Sequence, residues 1–155
     1  MPEVLEAASF DDVPRLLKQV FDSVANDFND ADYRVPLKEK VVPLLQAEHE
    51  QYFNNESGPL EKWPALSPRT VKKKGFDTIL IENNNMRSSL LFDGPDHIED
   101  VEERYLTWGT SDEKARFHQE GTKRIPQRAF VGLSEKTIDA ISEVIADAAA
   151  DNLKG

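Results

Sequence analysis

The sequence predicts an α+β fold made of an N-terminal helical hairpin, a small antiparallel β-sheet and a C-terminal amphipathic helix. Three observations lead to this prediction. Apolar residues recur with the period of an α-helix over residues 13–28 and again over 36–53. The middle of the chain has short apolar, β-branched runs separated by turn-forming residues, which is typical of strands. The helical period then returns near the C-terminus, over residues 135–151.

The first predicted helix has the clearest pattern. Ser9 with Asp12 three residues later suits its N-cap, and Asn29-Asp30 ends the pattern. Seven apolar side chains form a single helical stripe: Val13, Leu16, Leu17, Val20, Phe21, Val24 and Phe28.

A second helix is predicted from about Pro36 to Phe53. Proline suits the first turn, because its missing N–H would have no partner there. Pro43, inside the same stretch, predicts a kink or a later start of the helix. The short polar connection at 29–34 predicts that the two helices form an antiparallel hairpin.

Residues 54–66 have the composition of a loop, which Trp63 is expected to anchor to the core. A short helix is predicted next. Ser67 is its N-cap, Pro68 lies in its first turn, and Gly75 ends it.

The middle of the chain is predicted to form a sheet of three or four strands. Asp93-Gly94 is a hairpin-turn signal, although Pro95 rules out a simple two-residue loop. The strand candidates are 78–81, 88–92, 98–101, 105–108 and, further along, 128–133.

The C-terminal third contains a short polar helix or loop at 112–120, closed by Gly121, and then the last helix. Ser134 is predicted to cap that helix. The length favours one domain over residues 1–155, with frayed ends at about 1–8 and 151–155.

Composition excludes several classes of function. The formal net charge of −10 argues against a surface that binds a phosphate backbone, because such binding depends on Lys and Arg that neutralise phosphates. We therefore also expect no sequence-specific nucleic-acid binding. Two local basic clusters, 69–74 and 123–128, are interpreted mainly as solvated surface. The chain has no cysteine, so disulfides and thiolate zinc sites are excluded. No apolar run has the length of a membrane span and the N-terminus lacks the pattern of a secretory signal, so we expect synthesis in a cytoplasm.

No catalytic constellation is apparent in the sequence. His49, His97 and His118 lack zinc-ligand spacing, and no nucleophile elbow surrounds any serine. We therefore expect no enzyme, no metal and no cofactor. Two alternatives remain open: a metal-dependent cytoplasmic enzyme that uses the acidic hairpin 93–103, and a host adaptor that binds a partner helix through the helical hairpin.

One segment is more distinctive than composition requires. Residues 117–133 read Phe-His-Gln-Glu-Gly-Thr-Lys-Arg-Ile-Pro-Gln-Arg-Ala-Phe-Val-Gly-Leu. This segment resembles the "His-Gln-x-Gly … Ile-Pro-x-Arg-x-Phe-x-Gly" signature of the phage virion morphogenesis family, the tail completion proteins of Mu-like phages and prophages. The upstream stretches 63–74, 79–90 and 105–110 resemble other motifs of that family in the same order, so the resemblance covers roughly residues 10–150.

The resemblance implies a non-enzymatic assembly subunit at the head–tail connector or tail end, which would form a ring around the DNA channel. Its partners would be connector, tail tube or terminator proteins. It would act in the host cytoplasm during assembly and then remain in the virion. His118, Gln119, Gly121 and Arg128 are expected to make assembly contacts or to hold their own loop. Trp63 and Phe130 are expected to be core anchors, and we call these six residues together the family-like site.

Overall fold

The computed structural model describes residues 31–81 and 85–154, and the side chains of those residues up to 152. The first predicted helix, 13–28, lies outside the described residues. The described part confirms the α+β class, with helices, a two-stranded antiparallel sheet and a long C-terminal helix.

Helix α1 corresponds to the second predicted helix and consists of three contiguous segments. These are an α-helical turn at Arg34–Pro36, a π-helical stretch at Leu37–Val41 and an α-helix at Val42–Asn55. The N–H of Val42 donates to the carbonyl of Leu37, five residues back. The wider turn ends just before Pro43, whose ring and missing N–H disfavour a regular α-helical hydrogen bond at that point.

The remaining elements follow in chain order. They are α2 at Pro68–Lys74, α3 at Asn85–Leu91, β1 at His97–Val101, β2 at Leu106–Thr110, α4 at Glu113–Glu120 and α5 at Glu135–Lys154. The caps predicted for α2 are confirmed. Ser67 Oγ accepts the N–H of Thr70, and Gly75 ends the helix with φ of 83°. Ser134 Oγ likewise accepts the N–H of Thr137 at the start of α5.

Two strand predictions are confirmed and three are wrong. Residues 98–101 and 105–108 lie in or beside β1 and β2, which a turn joins through the Glu102 N–H and the Tyr105 carbonyl at 2.9 Å. Residues 88–92 belong mainly to α3, where Met86 and Leu90 are buried one helical turn apart. A run of five residues is too short for its period to separate a strand from a helix. Asp93-Gly94 therefore follows a helix and is not a hairpin turn.

The run 78–81 forms a turn because side chains take up its backbone groups. Ile79 N–H donates to Glu56 Oε1 at 2.8 Å, and Lys74 Nζ donates to the Thr78 carbonyl at 2.8 Å. Leu80 has φ of 57°, which a strand does not allow. Within the described ranges the sheet therefore has two strands, and the prediction of three or four is wrong.

The described chain divides into two compact units. The first comprises 31–48, 99–108 and 133–154, and its core contains Leu37, Leu45, Trp108 and Ile141. In this unit Glu48, the polar exception on the predicted α1 stripe, accepts the N–H of Ser134 at 3.0 Å. The prediction of a single domain is not decided by this division and stays a prediction.

The second unit comprises 49–81, 85–98 and 109–132. Its core is built on Phe53, whose ring lies 5.7 Å from that of Trp63 and 5.8 Å from that of Phe130. Leu90 and Ala115 complete the buried centre. All the residues expected to form the family-like site lie in this unit.

Candidate functional site

Gln119 is the hydrogen-bonding centre of the segment that follows α4. Its Oε1 accepts the N–H groups of Phe130 and Val131 at 2.9 and 3.0 Å, and its Nε2 donates to the Val131 carbonyl at 2.9 Å. The side chain is only 4% exposed. One side-chain amide thus takes the place of a neighbouring strand. This explains why 128–133, predicted as a strand, pairs with no strand in the part of the chain that the structure describes.

Arg128 is held in the same way, by carbonyl groups. Its Nε donates to the Pro64 carbonyl at 2.8 Å and its Nη2 to that of Ala65 at 3.0 Å. In return, Trp63 Nε1 donates to the Ala129 carbonyl at 2.8 Å. The two segments with family-like motifs, 63–66 and 128–130, therefore clamp each other. Burial lowers the pKa of the Arg128 guanidinium, although an arginine remains charged at any ordinary pH.

Gly121 ends α4 and starts a tight turn. Its φ of 74° with ψ of 166° is a conformation that essentially only glycine adopts. Thr122 then closes the turn: its N–H donates to the Ile125 carbonyl and its Oγ1 accepts the N–H groups of Arg124 and Ile125. This turn leaves Lys123 and Arg124 exposed to solvent.

His118 lies half-buried at the end of α4, near the positive charges of Arg128, Lys114 and Lys74 and the negative charge of Asp112. Burial lowers the pKa of its imidazole below the ordinary value, and the nearby charge of Arg128 lowers it further. Its Nδ1 is buried and has no hydrogen-bond partner among the described residues. The imidazole is therefore neutral near pH 7.

A second polar cluster joins α3 to the end of β2. Ser89 Oγ lies 2.7 Å from Thr110 Oγ1, and it donates to the Met86 carbonyl at 2.9 Å. His97 Nδ1 contacts the Ser89 carbonyl and not its hydroxyl. Ser89 is 4% exposed, so this cluster has the arrangement of a structural network and not that of an activated nucleophile.

A cavity of about 590 Å³ opens beside His118, within the second unit. We call it the basic cavity, because its lining includes five basic residues and only two acidic ones. The basic residues are Lys74, Lys114, His118, Arg124 and Arg128, and the acidic ones are Asp96 and Asp112. The rest of the lining is mostly apolar and includes Leu66, Met86 and Ile125, with Ser67, Thr70 and Asn85 as uncharged polar residues. The volume is within the range of ligand pockets, roughly 300–1,000 Å³.

The basic residues of the cavity differ in how far they are already engaged. Arg128 donates to backbone carbonyls, and Lys74 donates to the Thr78 carbonyl while its Nζ lies 4.6 Å from the centre of the Phe76 ring. Lys114 and Arg124 are exposed, and their side chains form no hydrogen bond or ion pair with another described residue. These two side chains are available to a bound anion.

Within 31–81 and 85–154, no three His, Asp or Glu side chains converge as metal ligands. In the acidic stretch 93–103, Glu99 forms an ion pair with Lys38. His49 is buried and accepts the Gly132 N–H at 3.3 Å. In the described part of the chain, no helix has both the length and the apolar character of a membrane span.

Comparison with known proteins identifies the family. The phage virion morphogenesis family matches residues 12–149, which is most of the chain. The chain belongs to this family. The G protein 1 of the Mu-like prophage FluMu from Haemophilus influenzae is 28% identical over 135 residues, covering 83% of each chain. No solved structure matches the chain at a significant level.

Family membership gives this chain a role in phage assembly, as the ordered motifs predicted. The structure places Gln119, Arg128, Trp63 and Phe130 in one buried network of the second unit, and His118 at its border. Sequence reasoning missed the basic cavity, which joins Lys74 of the first basic cluster to Arg124 and Arg128 of the second. The available signal was the presence of two basic clusters in an acidic chain.

Proposed function

We propose that this chain is a non-enzymatic subunit that completes the tail end or the head–tail connector of a phage particle, and that it acts as a ring. The match of the virion morphogenesis family over residues 12–149 is the observation that carries this proposal. The prophage name of its relative supports the same setting. Its partners would be connector, tail tube or terminator proteins. The chain would bind them in the host cytoplasm during assembly and then remain in the virion.

The geometry of the second unit supports an assembly role over catalysis. Its polar side chains Gln119, Arg128 and Ser89 are each 5% exposed or less, and each binds a backbone group of the same unit. Buried polar groups arranged in this way stabilise a loop and do not reach a substrate. The exposed tip of that loop, with Lys123 and Arg124, is the part that can contact another subunit.

A gene deletion tests the proposal. In a phage or prophage that encodes this chain, deletion of the gene should leave heads and tails that fail to form complete, infectious particles. Electron microscopy and plaque counts measure both effects, and the gene supplied from a plasmid should restore them. Purified particles should also contain the chain, as judged by mass spectrometry. Complete infectious particles formed in the absence of the gene would refute the proposal.

A further inference from the structure

The basic cavity has the properties of a peptide-binding site. Two of its cations, Lys114 and Arg124, are exposed and have no ion-pair partner among the described residues. Apolar side chains such as Met86 and Ile125 line the same space. A nucleic-acid backbone would bind the cations but leave the apolar lining unused. A peptide with both carboxylates and apolar side chains would use both.

Five stretches of the chain combine four or more carboxylates with no Lys or Arg: 1–14, 19–33, 41–61, 88–103 and 137–153. The third lies mainly in α1, the fourth contains most of α3 and the whole of β1, and the fifth lies within α5. The backbones of these three stretches are already committed to helix and sheet, so they cannot enter a cavity as a peptide. The second stretch falls mainly in the helix predicted over 13–28 and ends at Tyr33, which is buried in the first unit. The first stretch carries Glu3, Glu6, Asp11 and Asp12 together with Val4, Leu5 and Phe10, which is the composition that the cavity requires.

We propose that the basic cavity binds the acidic N-terminal segment, residues 1–12, of a second copy of this chain. The proposal rests on the ring-forming function proposed above and gives it a contact. A segment of one copy in a cavity of the next is a heterologous interface, and a repeated heterologous interface closes into a ring when its rotation allows. Carboxylates of the segment pair with Lys114 and Arg124, and its apolar side chains replace water over Met86 and Ile125.

Binding of a peptide tests the contact directly. A fluorescent peptide of residues 1–12 is titrated with the full chain carrying Glu3→Lys and Glu6→Lys, so that the protein's own segment does not compete. Adding Lys114→Glu and Arg124→Glu should raise the dissociation constant at least tenfold. The matched control, Lys72→Glu with Lys73→Glu, makes the same change in net charge on exposed residues of α2 that do not line the cavity. It should change the constant less than threefold.

Two results of the titration overturn the proposal. One is equal affinity in the cavity variant and the control variant, which would leave only non-specific charge attraction. The other is tighter binding of a DNA oligonucleotide than of the peptide at the same cavity, which would make the occupant a nucleic acid. A peptide with the same composition in scrambled order reports how much of the binding depends on sequence.

Sedimentation velocity tests whether the contact joins two copies. The segment variant (Glu3→Lys, Glu6→Lys) and the cavity variant (Lys114→Glu, Arg124→Glu) should each lose the self-association of the natural chain. An equimolar mixture should associate again, because each cavity then meets a segment of opposite charge. A natural chain that stays monomeric, a cavity variant that associates normally, or a mixture that stays apart each overturns the proposal.

Failure of this contact and failure of the proposed function are distinguishable. The gene deletion tests the assembly function, and it does so whichever surface joins the copies. If particles require the gene but form normally with the cavity variant, only the proposed contact is refuted. Particles that are complete without the gene refute the assembly function, whatever the peptide titration gives.

Discussion

At the scale of the residue, two buried polar side chains form hydrogen bonds to backbone groups that in a helix or sheet would pair with other backbone groups. Gln119 pairs with the backbone of Phe130 and Val131, and Arg128 pairs with the carbonyls of Pro64 and Ala65. Phe130 and Val131 are buried, so their backbone groups would otherwise lack a hydrogen bond. Such a side chain contributes strongly to the free energy of unfolding, because its loss leaves a buried backbone group without a hydrogen-bond partner.

Replacing Gln119 by alanine should therefore destabilise the protein strongly. The buried N–H groups of Phe130 and Val131 lose their acceptor, and we expect a loss of about 2–4 kcal/mol in the free energy of unfolding. Urea unfolding followed by circular dichroism measures this loss. The matched control is Gln127→Ala, which removes one bond from an exposed residue to the Gln119 carbonyl and should cost about 1 kcal/mol or less. Equal losses in the two variants would contradict this account.

His118 should make stability depend on pH. Its pKa in the folded protein is lowered by burial and by the charge of Arg128, with Lys114 and Lys74 acting in the same direction and Asp112 opposing them. The unfolded chain, with an ordinary histidine pKa of about 6.5, binds the proton more readily. Stability is therefore complete above that pH and falls as the pH drops below it.

The variant His118→Gln should show a smaller loss of stability on acidification than the natural chain. Urea midpoints at pH 7.5 and pH 5.5 in both proteins give the comparison. Other titrating groups affect both proteins alike, so the difference between them isolates His118. A loss that is as large in the variant as in the natural chain would show that the imidazole does not contribute.

At the scale of the element, the sequence predicts the ends of the helices more accurately than it predicts the strands. Ser67 and Gly75 act as caps for α2 through bonds to residues within one turn. Gly121 also follows a helix, but its backbone approaches the residue that follows the next turn: a Cβ there would lie 2.9 Å from the Gln127 nitrogen. At Gly75 a Cβ would meet no atom within 4 Å.

These two glycines give a matched pair of substitutions. Both have positive φ, so alanine is strained at either position. Gly75→Ala should cost about 1–2 kcal/mol, the ordinary strain of a left-handed residue. Gly121→Ala should cost at least about 3 kcal/mol, because the strain of its more restricted conformation adds to the clash with Gln127. Thermal unfolding of the two variants measures the difference, and a ratio near one would refute the close approach.

At the scale of the whole molecule, two compact units share continuous elements. Residues of α1 contribute to both units, and so do residues of the hairpin formed by β1 and β2. Separate unfolding of one unit would break a helix and a ladder in the middle. Backbone hydrogen bonds in helices and sheets form cooperatively, so we expect the chain to unfold as one domain.

The two tryptophans allow a direct test of this expectation. Trp108 belongs to the first unit and Trp63 to the second, and both are buried. In Trp63→Phe the fluorescence reports the first unit, and in Trp108→Phe it reports the second. Within each variant, the urea midpoint by fluorescence should coincide with that by far-ultraviolet circular dichroism. Separate midpoints would show that the units unfold independently.

The sequence by itself determined the features that depend on near neighbours. The long helical periods predicted α1 and α5, the caps at Ser67 and Ser134 marked where helices begin, and the ordered motifs indicated the family. Only the tertiary structure decided whether each short apolar run forms a strand, a helix or an irregular segment. Whether 128–133 pairs with a strand or with Gln119 depends on what meets its N–H groups, and the acceptor is eleven residues away from Phe130. The convergence of Lys74 with Arg124 in one cavity has the same cause, since distant residues come together only when the whole chain has packed.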